Sequence, residues 1–262
     1  MSEQEPHTLH VHRRALGSLR EWRRGALESD FGSLVTEPTR VYDADARAVT
    51  LVYLALDEDF TDLVTVLRRL DIRRRTRTGG MRSLSREFGS HPRNRLKNNF
   101  CGPASLAAED RQAHRALSAA AVVVAGAYAR SNPALASRHE RLAKAVRPEW
   151  HLEGTAFISG IVNRDSALPY HFDTGNFKGV WSGMLGFRRD VTGGYLAVPE
   201  YDLGFEIADR SLLMFDGQGL LHGVTPFAKT SAHGYRFTVV YYSLDRMWLC
   251  LAPGEEAKRS HR

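Results

Sequence analysis

The chain has 262 residues, 43% of them hydrophobic and 25% charged, which is enough apolar material for a globular core and too much for a chain unfolded throughout. Its formal net charge of +6 favours a polyanionic partner without requiring one. It contains no apolar run of membrane-spanning length and no secretory signal at its start, and its two cysteines, Cys101 and Cys250, are too few for a disulfide framework or a four-thiolate zinc site. The expectation is a soluble, cytoplasmic monomer that engages no membrane, with any metal held by His and carboxylate.

Residues 1–38 mix His, Arg and Glu with weak periodicity, and read as an N-terminal arm, flexible or carrying a short helix around Leu16 to Leu27. His7, His10 and His12 belong to this arm and are not expected to bind metal. From Thr39 the patterns TRVYD and VTLVYLAL are strand-like, and Asp57 is placed to cap a helix over EDFTDLVTVLRRL. Between Arg68 and Lys97 stand eleven Lys and Arg against two acids, Asp71 and Glu87. A solvated helix face would interleave the signs, so phosphate contact is the natural use of segment 68–97; a mobile basic loop is the alternative.

A helix is expected from Ala107 to Arg130, where Leu117, Ala121, Val124 and Tyr128 recur at three- and four-residue steps. Asn132 and Pro133 open a second helix, running to about Val146. Residues 39–150 thus form a helical support. After Trp150 come short strands separated by Gly, Asp and Pro: TAFISGIV, WSGMLGF, GYLAVP, SLLMFD, LLHGVTPF and YRFTVVYYS. The fold class is α+β, with a double-stranded β-helix (jelly-roll, cupin-like) core over 151–250, flanking N-terminal helices and a C-terminal tail over 251–262.

In PYHFDTG, His171 and Asp173 are two residues apart, so in extended chain both leave the same face and reach one metal. His222, in LLHGVTPF, can return on a neighbouring strand as third ligand. Two imidazoles and one carboxylate leave three octahedral positions open, as in Fe(II) oxygenases. Arg236 stands fourteen residues after His222. Alternation puts Arg236, Thr238, Val240 and Tyr242 on one face of their strand and Phe237, Val239 and Tyr241 on the other. An inward Arg needs an anion. The C5 carboxylate of 2-oxoglutarate fits, with Thr238 adding a hydroxyl; a core acid such as Asp216 is the alternative.

This order of residues resembles the 2-oxoglutarate/Fe(II) dioxygenase superfamily and, within it, the TET and J-binding-protein branch, which oxidises the 5-methyl group of pyrimidines in DNA. GGMRSLSREFGSHPRN, from Gly79 to Asn94, resembles the basic motif of small TET-like proteins of phages and bacteria. Asn176, five residues beyond His171, and Tyr242, six beyond Arg236, match positions that line the base pocket in that branch. The resemblance implies Fe(II), 2-oxoglutarate and O2 as cofactor and co-substrates, and hydroxylation of 5-methylcytosine in DNA to 5-hydroxymethylcytosine. It also implies substrate contacts from Arg82 and Arg86, and a flipped base stacked on Tyr242, Phe177 or Trp181. The Cys-rich zinc module of animal TET enzymes is absent and a pocket His of some members falls at Leu244, which leaves the base and the extent of oxidation open. A hydroxylase of a small molecule, nucleoside or peptide is the alternative.

Overall fold

The structure is a computed structural model and describes residues 5–76, 82–94 and 99–260. The first half carries β1 (His7–Val11), β2 (Ser33–Val35), β3 (Thr39–Asp43), β4 (Ala48–Ala55), α1 (Thr61–Arg69), β5 (Arg74–Thr76), β6 (Arg82–His91) and β7 (Gly102–Pro103), followed by α2 (Ser105–Glu109), α3 (Arg111–Ser131) and α4 (Pro133–Ala143). The second half carries β8 (Ser159–Arg164), β9 (Ser182–Arg189), β10 (Val191–Gly193), β11 (Leu196–Val198), β12 (Leu203–Phe205), β13 (Ser211–Phe215), β14 (Gly223–Val224), β15 (Phe227–Lys229), β16 (Tyr235–Tyr242) and α5 (Pro253–Ser260).

The main sheet runs β1-β3-β4-β13-β9-β16-β8-β6-β5, and a smaller sheet, β14-β11-β12-β2, faces it. This is the expected double-stranded β-helix, but β1, β3, β4, β5 and β6 of residues 7–91 belong to its main sheet, so the strand core is not confined to 151–250 and 39–150 is more than a helical support. Strand period two assigns the faces of β16: Phe237, Val239 and Tyr241 join Leu117 and Val124 of α3 in one buried cluster on the helix side. Burying each such side chain contributes about 1.5–3 kcal/mol. Between the sheets, Val41, Leu51 and Leu213 pack against Leu196, Val198 and Phe205. Arg236, Thr238, Val240 and Tyr242 line the cavity at the open end of that space.

Several boundaries differ from the sequence expectation for local reasons. Helix α1 begins at Thr61, whose N–H donates to Asp59 Oδ1, so Asp57 lies outside the helix. The helix expected over 107–130 is two, because Asp110 breaks it and accepts the Ala113 N–H as cap of α3. Asn132 and Pro133 start α4 as expected, but it ends at Ala143. The N-terminal arm has no helix over 16–27. Instead β1 pairs in parallel with β3 at the edge of the main sheet, His10 packs on Tyr42, and His12 lies 3.0 Å from Asp45.

The expected tail carries α5, fixed at two points. Cys101 and Cys250 form a disulfide across 149 residues of sequence. The fully buried Glu256 accepts the N–H groups of Cys101 and Leu251 and pairs with Arg93. Among the described residues no helix is long and apolar enough to cross a membrane.

Candidate metal centre and binding cavity

Two irregular segments meet at one end of the space between the sheets. His171 and His222 form an antiparallel bridge, each N–H donating to the other's carbonyl at 2.9 and 3.1 Å, and the Asp173 N–H donates to Gly217 O at 2.8 Å. These backbone bonds bring His171 Nε2 to 3.6 Å from Asp173 Oδ1 and His222 Nε2 to 3.8 Å from Oδ2. His171 Nδ1 lies 2.9 Å from Pro169 O and His222 Nδ1 3.0 Å from Leu220 O. Donation of Nδ1–H to those carbonyls leaves the Nε2 lone pairs free to bind a metal.

Among the described residues, His171, Asp173 and His222 are the one His, Cys, Asp or Glu cluster close enough to hold a metal, with ligand atoms all within 4.8 Å of one another. Their chemistry suits iron(II) with open positions better than a closed zinc site. Gly217 is part of the geometry, since a Cβ there would lie 2.4 Å from Asp173 Oδ2.

The N-terminal arm buttresses this ligand segment. The Tyr170 N–H donates to Arg24 O, its ring meets Trp22 edge-on at 5.0 Å, and its hydroxyl donates to Asp30 at 3.0 Å. Sequence reading missed this role because an irregular arm carries no periodic signal.

Arg236 is 2% exposed, and its Nη2 donates to Gly194 O at 3.0 Å. Its Nε is buried with no partner among the described residues, and Asp216, the alternative anion, instead accepts the N–H groups of Gln218 and Gly219. Burial, then the neighbouring Arg188, lowers the Arg236 pKa to about 10 against an opposing pull from Asp165, so it stays charged at neutral pH. It lines the same cavity of about 270 Å3 as the three metal-binding candidates and Thr238. A buried guanidinium with an unmet donor, beside an open-sided metal site, fits a dicarboxylic co-substrate such as 2-oxoglutarate.

Asn176, which donates from Nδ2 to Ser182 Oγ at 3.2 Å, and Tyr242 also line the cavity. Phe177 and Trp181 do not. They are 1% and 3% exposed and stack on Trp248 and Tyr128 respectively, so of the three proposed base-stacking aromatics Tyr242 alone faces the cavity.

The basic segment is corrected in part. Arg82 is exposed, but Arg86 is buried and pairs with Glu109 on the helix side of β6, because its neighbours Ser85 and Glu87 take the cavity side. Arg73 pairs with Asp71 inside the segment, whereas Arg86 and Arg93 pair with Glu109 and Glu256, so two acids outside the segment offset part of the excess. Arg77, Arg95, Lys97 and the Gly79–Met81 start of the motif lie outside the described residues, as does the side chain of Arg75.

The double-stranded β-helix and the grouping of His171, Asp173, His222 and Arg236 at one cavity agree with the resemblance to the 2-oxoglutarate/iron(II) dioxygenases read from the sequence. Comparison with known proteins gives the nearer likeness. The chain is 29% identical over 129 residues to the bifunctional helicase and thymine dioxygenase JBP2 of Leishmania tarentolae, covering 49% of this chain and 12% of that protein. The JBP2 proteins of Leishmania infantum and Leishmania major match to the same extent. This chain therefore spans only a small part of the curated relatives it matches. Among solved structures, NgTET1 in complex with 5mC DNA aligns with TM-score 0.57 and 15% identity over 87% of this chain and 90% of that one, a likeness of fold. No family model matches the chain. The resemblance to the TET and J-binding-protein branch holds in sequence and in fold.

Proposed function

We propose that this protein is a 2-oxoglutarate- and iron(II)-dependent dioxygenase that hydroxylates the 5-methyl group of 5-methylcytosine in DNA. The observation that carries the reading is the buried Arg236, with its unmet Nε, facing the same cavity as His171, Asp173 and His222. In this reading His171, Asp173 and His222 hold the iron, and Arg236 with Thr238 takes the C5 carboxylate of 2-oxoglutarate. Bound iron and 2-oxoglutarate supply, with dioxygen, an oxidant strong enough for an unactivated methyl group, leaving succinate and carbon dioxide.

The chain's own work is positioning and exclusion of water. The Pro169 and Leu220 carbonyls hold the two imidazoles in the ligating tautomer. Asn163 donates to Thr238 Oγ1 at 3.1 Å, which orients the hydroxyl at the cavity floor. A base in duplex DNA reaches such a site only when flipped out, and Tyr242 offers the stacking face, Asn176 a donor and an acceptor for a pyrimidine edge. The exposed Arg74 and Arg82 contact flanking phosphates.

Thymine in DNA is a second reading, favoured by the sequence match to proteins named as thymine dioxygenases. The test is mass spectrometry of nucleosides from DNA carrying each base, incubated with enzyme, iron(II) and 2-oxoglutarate. Appearance of 5-hydroxymethylcytosine supports the first reading and of 5-hydroxymethyluracil the second. Oxidation of a free nucleoside or peptide with neither DNA base changed would overturn both.

A further inference from the structure

Strand register locates one charged side chain that the reaction leaves unused. Across β6, β8 and β16 the inner face is ruled into rows: Ser85, Asn163 and Thr238 form one, and Glu87, Ile161 and Val240 the next. Rows two residues apart are separated by about 6.8 Å, and β6 lies two strands, about 9.5 Å, from β16. Glu87 thus stands one row beyond Thr238 and one row short of Tyr242, on the flank of the space where a base would stack.

The cavity lining agrees. Glu87 contributes to it and is exposed at its mouth, and its carboxylate has no hydrogen bond or ion pair with any described residue. With Asp173 and the two histidines assigned to metal and Arg236 to the co-substrate, Glu87 is, among the described residues, the one ionisable acid or base left in the lining besides Tyr242. Its neighbours on the same wall, Thr76, Ser85 and Asn163, are neutral.

A carboxylate accepts hydrogen bonds and cannot donate them. At the mouth of a site that receives a phosphate backbone it is repelled unless the substrate brings a donor to it. The two candidate bases differ in this respect: cytosine carries an amino donor at N4, whereas thymine carries an acceptor oxygen at the same place, and acidic side chains are the usual partners of the cytosine amino group.

We propose that Glu87 is a specificity-determining residue that accepts a hydrogen bond from the N4 amino group of the flipped base and so selects 5-methylcytosine over thymine. This rests on the reading of the site as a DNA base oxygenase. The neutral Asn176 amide serves either base; the carboxylate of Glu87 serves the amino-bearing one and opposes the O4 of the other.

The test compares parent and Glu87→Gln on two duplexes that differ only in a central 5-methylcytosine or thymine, reading the ratio of oxidised products by mass spectrometry. The expected result is a parent that prefers 5-methylcytosine and a variant whose 5-methylcytosine-to-thymine ratio falls by about tenfold or more, as loss of one base-specific contact requires. A purely structural role would lower both bases equally and leave the ratio unchanged.

A substrate-side measurement covers a poorly folding variant: a duplex with 5-methylpyrimidin-2-one, which lacks the N4 amino group, should lose as much with the parent enzyme as the variant loses on 5-methylcytosine. An unchanged ratio, or full activity on the analogue, overturns the Glu87 assignment while base oxidation stands. Oxidation of neither DNA base by the parent overturns the functional reading and this assignment with it.

Discussion

Arg236 and Gly194 face each other across the two sheets: the guanidinium donates to the Gly194 carbonyl at 3.0 Å, and a Cβ on Gly194 would lie 2.9 Å from Arg236 Nε. Gly194 also has φ +71, which disfavours any side chain. Gly194→Ala should therefore displace the guanidinium and raise the apparent KM for 2-oxoglutarate. Arg236→Ala should raise it by about a hundredfold, the loss of two charge-assisted hydrogen bonds, and Arg236→Lys should keep the charge but lose the fork. Steady-state titration of 2-oxoglutarate checks this; an unchanged KM in Arg236→Ala contradicts the anchor.

The iron ligands predict a graded series. His171→Ala should abolish both stoichiometric iron binding and turnover. Gly217→Ala, which drives a methyl to 2.4 Å from Asp173 Oδ2, should weaken iron by about 10- to 100-fold, as disturbing a ligand's support does. His114 and His233 lie outside the cluster, and their Ala variants should bind iron like the parent. Metal analysis after dialysis against graded iron concentrations separates these outcomes.

The basic segment divides by partner. Replacing the exposed Arg74 and Arg82 by Ala should weaken DNA binding and reduce the slope of log affinity against log salt by about two, one per phosphate contact. Arg86→Ala should leave that slope unchanged and instead lower stability by about 1 kcal/mol, since its partner Glu109 is itself largely exposed. A slope that drops for Arg86→Ala and not for the other pair would reverse the assignment.

What was legible in sequence was what depends on short-range period. The two-residue spacing of His171 and Asp173, the alternation along β16 and the Asn132-Pro133 start of α4 are local, and each appears in the structure as drawn. What was not legible depends on distant partners. Strand β1 is fixed by parallel pairing with β3, Arg86 by Glu109, and Cys101 by Cys250, 149 residues away. None leaves a mark within a window of sequence. The reach of the N-terminal arm to Tyr170 is hidden for the same reason, although it supports the first metal-ligand candidate.

Acid should loosen the C-terminal helix first. Burial alone would raise the Glu256 pKa, but Arg93 and the N–H groups of Leu251 and Cys101 outweigh it and hold the carboxyl at about 2, below its ordinary 4.5. A depressed carboxylate stabilises the fold above its unfolded pKa and loses that contribution as pH falls from about 4.5 towards 2. Glu256→Gln should cost on the order of 2 kcal/mol at neutral pH and flatten the loss of stability below about pH 4.5. Denaturant unfolding at stepped pH measures both; parallel curves for parent and variant would contradict the account.

The most direct test of base oxidation by this protein is incubation of 5-methylcytosine DNA with the iron-loaded protein, 2-oxoglutarate and isotopically heavy dioxygen, followed by mass spectrometry of the nucleosides and of succinate. The parent should give 5-hydroxymethylcytosine and succinate in coupled amounts, with heavy oxygen in the succinate carboxylate and the new hydroxyl group, and His171→Ala should give neither product. Succinate formed without any change in a DNA base, or a DNA product formed without iron and 2-oxoglutarate, would contradict the proposed function.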